Sequence, residues 1–268
     1  MPSINKVNIV NIRYIANNKL YTACITDQNQ LIIFKGNKKY TYDFPPTIDY
    51  IFEFEQYLSL LFKYGKIAVL DTESEDIVYL QDGISEPIKM ARRYNNSLFI
   101  LFGNNHIYKA EMDNMNLTLV SKFTKNVNIV SISYYHDLFV AFDDGSIYKW
   151  DKEYMFSHYC KIKDIIVYKN YLISFSVDGV FSRYNLSEST IEFIYFSNLE
   201  FDSFLTDNLF YSKSGIWELK YGNDKEEPQL IQKQEFIGDI KFIKKDEDCM
   251  IIVTDNYFDM IPITQLNV

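Results

Sequence analysis

Histidine and cysteine are scarce in this chain. Its 268 residues hold only His106, His136 and His158, and only Cys24, Cys160 and Cys249. Ligands so few and so scattered exclude the spacings of a zinc site and of a disulfide framework. An odd number of thiols points to a reducing, intracellular setting. The sequence also lacks HExxH, GxSxG and any glycine-rich phosphate loop, which removes metalloprotease, serine-hydrolase and nucleotide-binding chemistry. The carboxylate pair Asp143-Asp144 reads as a turn and the run Asp246-Glu247-Asp248 as a solvated loop. No catalytic residue, cofactor or metal is therefore expected, and the chain does not read as an enzyme.

Other absences are as useful. No apolar run approaches the ~18 residues of a membrane span, and Met1–Asn18 lacks the apolar core of a signal peptide. A soluble protein with no membrane partner is expected. Arginine is rare, with Arg13, Arg92, Arg93 and Arg183 among 27 basic residues, a bias that AT-rich coding would produce. Against 36 acidic residues these leave a net charge of −9, which disfavours general binding to polyanions. No segment carries a sustained 3.6-residue apolar stripe, so helix should be nearly absent.

What is abundant is a repeated phrase of apolar run, tight turn and second run. Leu58–Leu70 reads LSLLFKYGKIAVL, Leu98–Ala110 reads LFILFGNNHIYKA, and Leu138–Trp150 reads LFVAFDDGSIYKW. Leu172–Tyr184 and Leu209–Lys220 continue it, and Leu20–Lys35 and Met250–Pro262 are less regular copies. The copies begin at 20, 58, 98, 138, 172, 209 and 250, in steps of 34 to 41 residues. Gly65, Gly103, Gly145, Gly179 and Gly215 fall at one place in five of them, where a tight hairpin needs positive φ. A wholly apolar first run such as Leu138–Phe142 suits a strand buried on both faces. A further strand precedes many copies (Ile48–Phe54, Ile129–Tyr134, Ile162–Tyr168, Ile237–Ile243), and a less regular one follows (Leu117–Phe123, Ile191–Phe196).

Four short strands per ~40 residues is the pattern of a β-propeller blade. The expectation is an all-β, seven-bladed propeller of four-stranded antiparallel blades, one domain over residues 1–268. Blades fall at roughly 8–47, 48–86, 87–126, 127–160, 161–198, 199–236 and 237–268, with Pro2–Val7 supplying the last blade's fourth strand. Six blades result if an irregular terminal copy merges with its neighbour. The 17% aromatic content fits wedge-shaped spaces between blades, where Trp150 and Trp217 should be structural.

The repeats resemble the WD40 superfamily. Trp150-Asp151 supplies the dipeptide behind Asp143-Asp144-Gly145, and Phe181, Trp217 and Tyr257 keep aromatics in comparable strands. The Gly-His pair that opens a typical repeat is missing, and His136 precedes a second strand instead of a first. The family's Asp-His-Ser-Trp network is therefore not expected. Nine glycines also exclude the glycine-rich propellers whose core looks like Asp144–Trp150.

The resemblance implies a non-catalytic scaffold or adaptor, bound to other protein subunits in an intracellular complex. The alternative is a propeller partner of a tRNA-modifying enzyme, with RNA reached through that partner; an enzyme or lectin-like propeller stands third. Candidate contacts are Arg92, Arg93 and Tyr94, which hold half of the arginines at the end of a first strand, together with Lys244 and Lys245. Arginine's planar fork suits phosphate or carboxylate. The basic group Lys35, Lys38 and Lys39 reads as solubilising lysines. Asp71–Glu86, Glu111–Asn116 and Tyr221–Gln229 are the longer loops where partners would dock.

Overall fold

The computed structural model describes residues 12–82, 84–111, 116–123, 127–150, 153–168, 170–197, 201–204, 209–212, 215–220, 229–235, 240–245, 249–254 and 258–262. Two compact units divide the chain, Met1–Phe123 and Thr124–Val268. Every regular element among the described residues is a strand, and strands adjacent in sequence pair antiparallel.

The first unit holds three four-stranded sheets. They are β1 (Ile12–Asn17), β2 (Thr22–Thr26), β3 (Gln30–Lys35) and β4 (Lys38–Asp43); β5 (Ile48–Phe54), β6 (Tyr57–Phe62), β7 (Ile67–Asp71) and β8 (Ile77–Gln81); and β9 (Ile88–Tyr94), β10 (Ser97–Phe102), β11 (His106–Glu111) and β12 (Leu117–Lys122). The second unit continues with β13 (Ile129–Tyr134), β14 (Leu138–Phe142), β15 (Ser146–Lys149) and β16 (Tyr154–Ser157). Then come β17 (Ile162–Tyr168), β18 (Tyr171–Ser176), β19 (Val180–Asn185) and β20 (Thr190–Phe196), followed by β21 (Ser203–Phe204), β22 (Leu209–Ser212), β23 (Gly215–Lys220) and β24 (Gln229–Glu235). A three-stranded sheet of β25 (Ile240–Lys245), β26 (Cys249–Thr254) and β27 (Phe258–Pro262) ends the series. Six full sheets and one of three strands are thus described. The expected closing strand Pro2–Val7, and residues 237–239 of the last expected first strand, lie outside the described residues.

The second strand of each sheet is the core. All five residues of Leu138–Phe142 are buried, as are Leu98–Phe102. Burying each such side chain contributes about 1.5–3 kcal/mol, available only when both faces of the sheet are covered. Neighbouring sheets cover them: Leu58 and Leu60 of β6 pack with Ala23, Ile25, Leu31 and Ile33 of the first sheet. Phe175, Phe181, Phe201, Phe204, Phe210 and Trp217 interlock across two sheets of the second unit, most at tilted or edge-on angles that suit aromatic quadrupoles.

A regularity invisible in the sequence is a bulge. In six sheets the first strand opens on isoleucine (Ile12, Ile48, Ile88, Ile129, Ile162, Ile240) and the next residue is skipped by the ladder. The skipped residues are Arg13, Asp49, Lys89, Val130, Lys163 and Lys241. Five of the six are charged, as befits a side chain that the pleat does not bury.

Three of the five expected turn glycines adopt the conformation, and residues 213–214 before Gly215 lie outside the described residues. Gly65, Gly145 and Gly179 have positive φ, but the third sheet gives that conformation to Asn105 (φ 60°) and not to Gly103. Asn tolerates the left-handed region better than other side chains do. Trp150 also departs from expectation. It lies just past β15 and is 40% exposed, so it does not pack between sheets.

Gly145 joins local conformation to packing. Its φ is +88°, and a Cβ there would lie 2.4 Å from the His158 carbonyl oxygen and 2.8 Å from that of Cys160. The Gly145 carbonyl also accepts from His158 N at 3.0 Å. Gly36, at φ +57°, has nothing within 4 Å of such a Cβ. Gly36→Ala should cost about 1–2 kcal/mol, the left-handed penalty alone. Gly145→Ala should cost clearly more because backbone must move. Urea unfolding midpoints of the two variants check the order.

Candidate functional site

Polar side chains in the second unit tie neighbouring sheets together. Asp164 is the centre of one tie, buried at 2% exposure on the first strand β17. Ser131 Oγ of β13 donates to its Oδ1 at 2.6 Å, and the amide of Ile165 donates to the same oxygen at 2.9 Å. Its Oδ2 accepts from Ser203 Oγ and from Phe204 N of β21, the latter at 3.2 Å. One carboxylate thereby joins the first strands of three sheets. Beside it, Val167 N donates to Ser133 Oγ at 2.8 Å. With both oxygens filled by donors the group is a clamp, without a free lone pair to accept a substrate's proton.

A second cluster surrounds His158, between β16 and β17. Its Nε2 and Ser174 Oγ of β18 share a hydrogen bond of 2.7 Å, and both residues are buried. Burial lowers the His158 pKa to about 4, against a smaller opposing pull from Asp178. Asp178, in the β18–β19 turn, accepts from Ser176 Oγ, which leads the lowering of its own pKa. The Cys160 thiol is raised, first through its hydrogen bond to Asp178. Histidine, serine and aspartate here look like hydrolase components, but Ser174 is wholly buried. A neutral, enclosed pair of this kind holds a loop and does not attack a substrate.

In the next sheet, Trp217 Nε1 of β23 donates to Ser212 Oγ of β22 at 3.2 Å. The described residues hold two separate pairs, His158–Ser174 with Asp178 nearby in one sheet and Trp217–Ser212 in another, and no four-membered Asp-His-Ser-Trp network. The sequence signal was His158, which follows a fourth strand and precedes a first. Because Ser157 replaces the usual glycine, a Gly-His search passes it by.

The candidate contact residues fall in different settings. Arg93 Nη1 donates to the Glu53 carbonyl of β5 and lies 3.4 Å from Glu53 Oε1, and its Nε donates to the Asn95 carbonyl at 2.9 Å. It therefore ties the second sheet to the third. Tyr94 packs edge-on against Phe99 at 5.8 Å, and Arg92 is half-buried in β9. Lys244 and Lys245 lie on β25, and their side chains are outside the described residues. Arg92–Tyr94 belong to the first unit and Lys244–Lys245 to the second. Met112–Met115 and Tyr221–Pro228, most of two expected docking loops, also lie outside.

Reasoning from motifs passed over a cleft between the fourth and fifth sheets, with a cavity of about 200 Å³. Phe139, Met155, Tyr184 and Leu186 give it apolar walls, and His136, Asp137, Lys149, Glu153 and Asn170 a polar rim. Lys149 and Asp137 are paired at 3.0 Å. Tyr135, 48% exposed, stands against the His136 ring at 4.2 Å. The volume is below the ~300–1,000 Å³ of small-molecule sites and is suited to a single inserted side chain.

No protein-family model matches the sequence, and no curated protein sequence matches it. Solved structures do. The WD40 repeats of RRP9 superpose with a TM-score of 0.72 at 13% identity, covering 96% of each chain. The fold is that of a β-propeller. A chain of a mitotic checkpoint complex superposes with a TM-score of 0.68 at 10% identity, covering 98% of this propeller and 89% of that chain. BamB from Moraxella catarrhalis gives 0.66 at 12% identity, covering 95% and 83%. Identities this low establish the propeller fold alone.

His158 generates a pH prediction. Its folded pKa, about 4, lies below the unfolded value of 6.5, so the unfolded chain binds the extra proton between them. That stability is complete above pH 6.5 and is lost as pH falls towards 4, by an order of ~3 kcal/mol. His158→Gln should flatten this part of the stability profile relative to wild type, as read by urea unfolding at several pH values. Asp164→Ala, which orphans buried donors on three sheets, should cost ~3 kcal/mol at neutral pH. The same unfolding assay checks it.

Proposed function

We propose that this propeller is a non-catalytic scaffold, an adaptor subunit that holds protein partners in an intracellular complex. The observation that carries the reading is the cleft at Tyr135–Asp137. Apolar walls inside a polar rim form the kind of pocket that receives an anchoring side chain from a partner. The buried titratable groups described above are spent on joining sheets, which leaves the exposed aromatic and apolar side chains as the surface with free binding energy. Among them are Tyr64, Tyr154 and the fully exposed Tyr159. Acid, base and aromatic alternate at the cleft, a mixture that favours protein over an RNA backbone.

On this reading the three-stranded sheet belongs to a seventh blade, and residues 1–268 form a single propeller domain. A chain of a mitotic checkpoint complex has a similar fold, which supports membership of a protein assembly as a class of role and not a particular partner.

Affinity capture from native extract, followed by mass spectrometry, tests the proposal. Wild-type protein should retain a reproducible, near-stoichiometric set of proteins. Tyr135→Ala combined with Lys149→Glu should lose at least one of them roughly tenfold while melting as wild type does. A wild-type chain that runs as a clean monomer and captures nothing above control overturns the scaffold reading.

A further inference from the structure

The outermost strand of each sheet presents unpaired backbone groups, and most of these edges are guarded. β4 begins with Lys38 and Lys39, both exposed. In β20 the ladder skips Glu192, which pairs with Arg183 at 2.6 Å. In β24 it skips Lys233, paired with Glu218 at 3.0 Å. β12 carries a similar bulge and ends on Lys122, while β16 is only four residues long and buries Phe156. Charges, bulges and short length are the standard protections of an edge.

β8 is different. It reads Ile-Val-Tyr-Leu-Gln and carries no charge. Ile77, Val78 and Leu80 are 49%, 54% and 56% exposed. Its ladder skips the apolar Val78, as that of β12 skips Val120, but β8 has no lysine at its end to offset it. Among the described residues no strand pairs with its outer edge. The chain around it is one-sidedly acidic: Asp71, Glu73, Glu75, Asp76 and Asp82 fall within twelve residues that contain no base. Asp71 caps the amides of Glu73 and Ser74, and Asp82 faces Lys66 at 3.9 Å, but Glu73, Glu75 and Asp76 are exposed.

We infer that β8 is a docking edge that takes, as a fifth strand, an extended segment of a partner protein with an apolar centre and lysine or arginine on both sides. Backbone hydrogen bonds along the edge supply affinity, while Val78 and Leu80 select alternate apolar side chains. The carboxylates attract the basic flanks. They also argue against a second copy of this chain, because pairing two β8 edges brings ten carboxylates together. The inference rests on the scaffold reading and specifies one contact of that scaffold.

The test uses the full chain and a fluorescent peptide, Lys-Lys-Val-Thr-Ile-Val-Thr-Lys-Lys, followed by anisotropy. Saturable binding is expected, weakened at least tenfold by Val78→Lys with Leu80→Lys, which leave the melting temperature unchanged at exposed positions. A peptide with proline for its central isoleucine should also lose binding, and needs no protein variant. Binding should weaken as salt rises. Equal affinity for the double variant, or for a glutamate-flanked peptide, overturns the inference. So does a wild-type dimer that Leu80→Lys dissociates, or binding that appears only after residues 1–11 are removed. If the double variant still captures the wild-type partner set from extract, β8 is excluded while the scaffold stands.

Discussion

A sheet of four short strands has two faces, and in this chain both are apolar along the second strand. Leu138–Phe142 and Leu98–Phe102 are buried on both sides, so a single sheet cannot be stable alone. Each needs a neighbour on either face, and that requirement organises everything else within each unit. It explains the aromatic content, because wedge-shaped gaps between twisted sheets suit large planar side chains.

Where polar groups do enter the interior, they join sheets. Asp164 draws donors from β13 and β21 onto one carboxylate. At the surface, Arg93 reaches back to Glu53 of the preceding sheet, and Tyr50 OH donates to the Lys89 carbonyl of the following one. Apolar packing between sheets is tolerant of sliding; a buried hydrogen bond is not, because a missed partner costs the full desolvation penalty. The ties therefore fix register between sheets that hydrophobic contact only presses together. His158 with Ser174 does the same for the loop that leads from one sheet to the next.

The same architecture leaves binding to the periphery. Once the interior is committed to packing and register, the scaffold reading leaves recognition to clefts between sheets and to outer strands. The Tyr135 cleft is lined by the fourth and fifth sheets, and β8 is an outer strand without a charged residue, unlike β4, β12, β20 and β24. Fold and recognition thus draw on the same feature, the unfilled margin of a sheet.

The amino-acid sequence by itself determined the strands and their repetition. Period-2 and all-apolar runs report burial directly, and Ile48–Phe54, Ile129–Tyr134 and Ile162–Tyr168 are strands at the residues expected. Turn chemistry was legible too, since Gly145 and Gly179 have the positive φ that a tight turn needs. The tertiary structure alone decided which polar residues matter. Asp164 and Ser131 are ordinary strand residues until two strands 33 positions apart lie side by side. His158 is preceded by Ser157, so no Gly-His pair marks it, and Trp150 stands exposed although Trp-Asp resembles a propeller dipeptide. The Arg92–Arg93 pair looked like a surface motif, and one of its members holds two sheets together. Local propensity is written in neighbouring residues, whereas a hydrogen bond between sheets depends on a distance that only packing sets.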